Sequence, residues 1–340
     1  MQSEHRTGFR GFTLIELLVV VAVVALLMGM LLPSLGHARE VAQSVIAKAQ
    51  VRQLAMLQFA FAADNDGWTA GPNKTGARDP DSFVGNSNGV MPTSSFDWIS
   101  PTAGGSLEFS ANRAQRTKEI FEKFACPKAI YPYTSLYPAG GGGFEDSGDF
   151  QEYLTKEPFL QNSYLAPAAF LCVHPDSKWR PNGRLPKSII PRPFAPPVSY
   201  RPRLDLIKNP SGKCAVADGT RYVDYIGGRN PRVIFDFDVS PNPSSYGSFT
   251  SSGPIYVGST AYGQHRANAG SNTFHLDLSM RFFGNSHEMH LSYWDGHADR
   301  ITAKEAWADP VPWYPRGSTY AGTEATDEVT QSYDEDEPLP

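Results

Sequence analysis

One stretch near the start constrains this chain more than any other. Arg10-Gly11-Phe12-Thr13-Leu14-Ile15-Glu16 runs straight into the apolar segment LLVVVAVVALLMGMLL, from Leu17 to Leu32. As a helix at ~1.5 Å per residue, Phe12 to Leu35 would cover about 36 Å, enough to cross a hydrocarbon core of ~30 Å. The sequence therefore predicts a membrane-inserted N-terminal helix. Glu16 is the anomaly within it, because a carboxylate in hydrocarbon costs several kcal/mol unless something neutralises it.

A secretory signal peptide would have a shorter apolar core followed by a small-residue cleavage site. Here the run is too long, and Gly36-His37-Ala38-Arg39-Glu40 continues the helix. A plain signal anchor fits the length but leaves Glu16 without a role. Gly11-Phe12-Thr13-Leu14-Ile15-Glu16 resembles the N-terminal signal of type IV prepilins and type II secretion pseudopilins. The resemblance implies cleavage between Gly11 and Phe12 by a prepilin peptidase, methylation of the new Phe12 amine, and assembly through Glu16. At that spacing Glu16 could neutralise the Phe12 amine of a neighbouring subunit inside an apolar filament core. Pro33 matches a proline that many members of the family carry, and by removing an amide donor it would kink or locally melt the helix.

At 340 residues the chain has room for one or two domains. No second apolar stretch of spanning length follows, so a single pass is expected. Arg6 and Arg10 before the helix favour a cytoplasmic N-terminus and a periplasmic or external body. The net charge of −5 comes from the end of the chain. Glu324, Asp327, Glu328, Asp334, Glu335, Asp336 and Glu337 lie there without a lysine or arginine. Residues 323–340 therefore read as an acidic, disordered tail. No basic block argues for nucleic acid. Cys126, Cys172 and Cys214 are too widely spaced for a CxxC site, and one disulfide with a free thiol or three buried thiols both fit.

After Pro33 the helical pattern continues. Ala47, Val51, Leu54, Leu57 and Phe61 recur at three- and four-residue steps until Asp64-Asn65-Asp66-Gly67 stops the helix. Residues 68–105 read as loop, and a short helix is expected at 112–124. The proline-rich span from Arg180 to Arg203 cannot be a central strand. Strands are expected at 213–217 and 221–226, joined as a hairpin through Asp218-Gly219. Others are expected at 231–237, at 273–283, and at 290–294 with 297–301, the last two joined by Asp295-Gly296. A last short helix falls near 303–307. The sum is an α+β, pilin-like fold: a long N-terminal helix, transmembrane in its first half, packed on an antiparallel β-sheet head. The divisions are a leader (1–11), a membrane or filament-core helix (12–35), a helix continuation packed on the head (36–66), the head with its long loops (67–322) and the tail (323–340).

Tyr293-Trp294-Asp295-Gly296-His297 resembles the C-terminal x-F-x-D-G-H element of large pilin-like proteins, as do Cys126-Pro127, Ser199-Tyr200 and Ala217-Asp218-Gly219. Where that group carries a histidine upstream of the Asp, this chain has Asn285, with His287 two residues later.

Five histidines fall between His265 and His297, beside Asp277, Glu288, Asp295 and Asp299. They raise a metal site, with Asp236, Asp238, His287, His290 and Asp295 as candidate ligands, or a membrane-anchored metal-dependent enzyme or binding protein built on 265–299. His287-Glu288-Met289-His290 is not H-E-x-x-H, however, and polar residues on strands and turns explain the cluster more simply. Calcium is a second candidate, because heads of some related subunits hold it. Asp64, Asn65 and Asp66, or Asp236, Asp238 and Asn242, offer oxygen donors without completing an EF-hand. There is no G-x-S-x-G and no phosphate loop. The expected role is a non-enzymatic subunit of a type II secretion pseudopilus or type IV pilus-like filament. Its partners would be the prepilin peptidase, other pilin or pseudopilin subunits and an inner-membrane assembly platform.

Overall fold

The computed structural model describes residues 13–72, 74, 88–93, 96–127, 133–135, 163–179, 193–219, 223–226, 230–235, 249–251, 253–256 and 288–340. Two compact units emerge, Met1–Gln43 and Ser44–Pro340, and helix α1 (Leu14–Asp64) contributes to both.

Helix α1 begins because Thr13 and Glu16 form a reciprocal cap. The Thr13 hydroxyl oxygen accepts the Glu16 amide at 3.2 Å, and the Glu16 carboxylate accepts the Thr13 amide at 2.8 Å. It ends where Asp66 and Gly67 turn to positive φ and the Gly67 amide donates to the Ala62 carbonyl at 2.8 Å. The expected melting at Pro33 is absent: helix runs on both sides of it without a break. Pro33 withholds one donor from the ladder, while the Ser34 hydroxyl donates to the Leu31 carbonyl at 2.8 Å.

In the first unit the apolar side chains of α1 from Leu14 to Leu35 are exposed, Leu14 by 85% and Leu32 by 68%. The helix is long and apolar enough to cross a membrane.

In the second unit, α1 from Ser44 onward buries Ala47, Val51, Leu54, Ala55, Gln58 and Ala62, one helical stripe. Helices α2 (Ile99–Leu107) and α3 (Arg113–Lys123) follow. The reading of 68–105 as loop is corrected here. Asp97 caps α2, its carboxylate accepting the amides of Ile99 at 2.9 Å and Ser100 at 3.0 Å. Gly104 sits within α2 because its neighbour is backbone: a Cβ there would lie 2.1 Å from the Gly89 carbonyl oxygen. The expected helix at 112–124 is α3, capped by Asn112, whose side chain accepts the Gln115 amide at 2.9 Å.

The strands are β1 (Tyr133–Ser135), β2 (Tyr164–Pro167), β3 (Phe194–Ala195), β4 (Cys214–Asp218), β5 (Val223–Ile226), β6 (Asn230–Phe235), β7 (Thr250–Ser251), β8 (Glu288–Tyr293), β9 (Ala298–Thr302) and β10 (Thr319–Tyr320). Helices α4 (Ala303–Ala308) and α5 (Asp327–Ser332) flank β10. The largest sheet has the order β7-β2-β4-β8-β9, antiparallel apart from the β7/β2 pair. Strands β8 and β9 are the expected Asp295-Gly296 hairpin, with Gly296 at φ +89°. The other expected hairpin does not form. Strand β4 lies between β2 and β8, whereas β5 pairs with β6 in a separate sheet, β1-β6-β5. An Asp-Gly turn gives a chain the means to reverse, but the partner is chosen by where the apolar faces are buried. The strand expected at 273–283 lies outside the described residues.

Strand alternation divides the core into two layers. Tyr164, Ala166 and Val216 face the α1 side with Val51, Leu54, Trp98, Phe121 and Phe170. Leu165, Ala217, Met289 and Leu291 face the other way, toward Phe194, Trp313, Tyr314, Val329 and Leu339. The acidic end of the chain is therefore not a disordered tail: α5 and residues 333–340 cover the second face of the sheet. Val329 and Leu339 are buried, and the Leu339 amide and carbonyl bond Ser318 and Gly317. Charge count alone hid this, because the acids sit on the exposed side of a segment whose few apolar residues point inward. Leu339→Ala is expected to lower stability by about 2–5 kcal/mol, as core truncations do. A shift of the denaturant midpoint at unchanged m-value would show it, and a disordered end would give no shift.

Three buried groups set an alkaline limit, and a fourth opposes it. Burial raises Tyr200 well above the usual 10.0 and Cys214 well above 9.0, and pushes Tyr293 up to about 12. Burial also lowers Lys213 to about 8, against the pull of Asp309. Above their unfolded values the first three keep a proton in the fold that the unfolded chain has lost. Their contribution therefore falls as pH rises, from about 9 for Cys214 and about 10 for the tyrosines. Lys213 has the opposite sign and adds stability between about 8 and about 10.5. Three groups against one predict a net loss of stability above about pH 10. Tyr200→Phe should flatten it, as read from denaturant midpoints at neutral and alkaline pH.

Candidate assembly site in the N-terminal helix

Glu16 is the one ionised group on an otherwise apolar length of helix. Both of its bonds are local: the Glu16 carboxylate accepts the Thr13 amide and hydroxyl, each at 2.8 Å. It stands in the first turn, where the positive end of the helix dipole favours a carboxylate. This arrangement holds the acid against the start of the helix. Gly11 and Phe12 themselves lie outside the described residues. Around Glu16, Leu14, Ile15, Leu17 and Leu18 offer apolar surface with nothing covering it in the monomer.

Farther along, polar side chains fix how α1 seats on the head. The Tyr164 hydroxyl donates to Gln50, and Gln58 both donates to and accepts from the Ala70 backbone, at 3.2 and 2.9 Å. Lys48 approaches Asp299 at 3.6 Å. A further connection is at Ser44. Its hydroxyl lies 2.8 Å from His290 Nε2, while His290 Nδ1 lies 2.8 Å from Asp218 Oδ2. The other Asp218 oxygen accepts the His290 amide at 3.0 Å. His290 and Asp218 have fully buried side chains, and Ser44 is half-buried. With an acceptor carboxylate on Nδ1, the ring donates there and presents Nε2 as the acceptor for the Ser44 hydroxyl.

Two of the metal candidates, His290 and Asp295, fall within the described residues. His290 is committed to Asp218 and Ser44. Asp295 holds its own turn, accepting the His297 amide at 3.1 Å and the His297 ring at 2.5 Å, with that ring stacked on Tyr293 at 4.2 Å. Asp236, Asp238 and His287 lie outside the described residues, as does Asn242. Of the calcium donors, Asn65 donates its side-chain amide to the Phe61 carbonyl at 2.8 Å as part of the helix end. Among the described residues no cluster of three or more His, Cys, Asp or Glu is placed to hold a metal ion. Cys126, Cys172 and Cys214 are buried, each in a different core cluster, and none is in a disulfide. Sequence reasoning missed Ser44 and the role of Asp218. They stand 246 and 72 residues from His290, and no local pattern links such positions.

Residues 6–32 match the family described as the prokaryotic N-terminal methylation motif. The N-terminal helix is thus type IV pilin-like, and with its antiparallel sheet the chain has a pilin-like fold. The type IV wide pilus major component PilA4 of Thermus thermophilus is 38% identical over 61 residues, which cover 18% of this chain and 47% of that protein. The match thus spans about half the length of that relative. No solved structure matches the chain.

Proposed function

We propose that this protein is a structural subunit of a pilin-like filament, either a type II secretion pseudopilus or a type IV pilus. The prepilin peptidase cuts after Gly11 on the cytoplasmic side, and Phe12 is N-methylated. The chain then waits in the inner membrane through the apolar half of α1, with its head in the periplasm. Assembly through other subunits and a membrane platform transfers that helix from lipid to filament core. One observation carries the reading: the apolar surface of α1 is uncovered in the monomer and interrupted only by Glu16, held in the first turn. Such a surface needs lipid or other copies, and a carboxylate placed in it needs a cation. The test is the mass of the mature N-terminus. A chain beginning at methylated Phe12 supports the proposal. An intact leader, or cleavage beyond Leu35, overturns it.

A further inference from the structure

We infer that Ser44 is an activated nucleophile, able to accept an acyl or phosphonyl group from an activated ester. This goes beyond the filament role and does not depend on it. Ser44, His290 and Asp218 stand in the relation that activates a serine: nucleophile to base at 2.8 Å, base to carboxylate at 2.8 Å. The 3.0 Å bond from the His290 amide to the second Asp218 oxygen locks the carboxylate to both the ring and the backbone of the residue it orients. His290 and Asp218 are shut away from water, while Ser44 is half-buried and can be reached. A tether between helix and sheet would need only a serine and one acceptor. The carboxylate behind the imidazole adds basicity where the serine proton would go.

The step balances within these residues. The Ser44 hydroxyl proton passes to His290 Nε2 as its oxygen bonds the ester carbonyl carbon. The ester C–O bond breaks, and the departing alkoxide takes that proton from Nε2. Ser44 lies within α1, so the amides that follow it are spent on the helical ladder and are not free to stabilise an oxyanion. Each missing donor of that kind is worth about 10²–10³ in rate. Ser44 is therefore a slow, stoichiometric acyl acceptor and not a fast hydrolase.

The full chain in detergent, treated with a fluorophosphonate probe, tests this without any variant. The Ser44 oxygen would displace fluoride, and the site is read by peptide mass spectrometry. Labelling at Ser44, at least about tenfold faster than at other serines and abolished by heat denaturation, is expected. Asp218→Asn should slow it by on the order of 10²-fold or more, with the helical circular dichroism retained. Ser44→Ala should remove the adduct. Absence of an adduct at Ser44 in the folded protein overturns the inference, as does labelling that Asp218→Asn leaves unchanged. Either result makes the three residues a tether only. Neither bears on the mature N-terminus, so this inference and the filament reading fail separately.

Discussion

Gly11→Ala is expected to leave the chain at its full unprocessed mass in the membrane, with no mature species beginning at Phe12. The proposed cut falls after Gly11, two residues before Thr13 caps the helix. A residue without a side chain lets the backbone approach closely there. Glu16→Ala should separate the two steps that Gly11→Ala blocks together. The Thr13 side chain still caps the Glu16 position through its own oxygen, so the helix start survives the loss of the other half of the cap. Processing should proceed to mature, methylated Phe12. Incorporation into filaments should fall severely, because a Phe12 ammonium buried without a counter-charge costs several kcal/mol per subunit. Intact mass and the ratio of filament to membrane-bound subunit measure the two arms. Normal incorporation of the Glu16 variant would rule out charge neutralisation as the assembly principle.

The second large effect is expected at His290. His290→Ala takes the ring from Asp218 and the acceptor from Ser44 at once, inside a space where neither His290 nor Asp218 has exposed side-chain surface. Removing one partner of such a buried pair costs about 3–5 kcal/mol. Replacing both members, as in His290→Leu with Asp218→Leu, should recover part of that loss, since the carboxylate and imidazole go together and only the residue-290 amide and the half-buried Ser44 hydroxyl lose a partner. Denaturant unfolding of the three variants measures this. If the single substitution costs less than about 1 kcal/mol, the pair is not the anchor its geometry suggests. The effect belongs to the head, and Leu18→Ala on the exposed part of α1 should leave head stability unchanged.

Much of this protein is legible in its sequence because the signals are local. A long helix ending at Asp64 follows from an apolar run, a regular stripe and a turn, each read within a few residues. Helix α3, helix α4 and the β8/β9 hairpin, expected at 112–124, near 303–307 and around Asp295-Gly296, follow for the same reason. The misreadings have one cause in common. Glycines and prolines between 68 and 105 looked like loop until Asp97 and the Gly89 backbone gave α2 its cap and its contact. Asp218-Gly219 looked like a hairpin turn until β8, some 70 residues on, took the place beside β4.

What the sequence by itself determined is therefore the character of the N-terminus: a prepilin-type motif, a carboxylate within it, and a helix apolar enough to enter a membrane. Those properties depend on spacing along the chain and on side-chain hydrophobicity, which need no partner to be read. Only the tertiary structure decided that an acidic terminus is the second layer of the core. Only it joined Ser44, Asp218 and His290. Burial and hydrogen bonding act between residues brought together by folding, and separations of 72 and 246 positions leave no periodic trace in the chain.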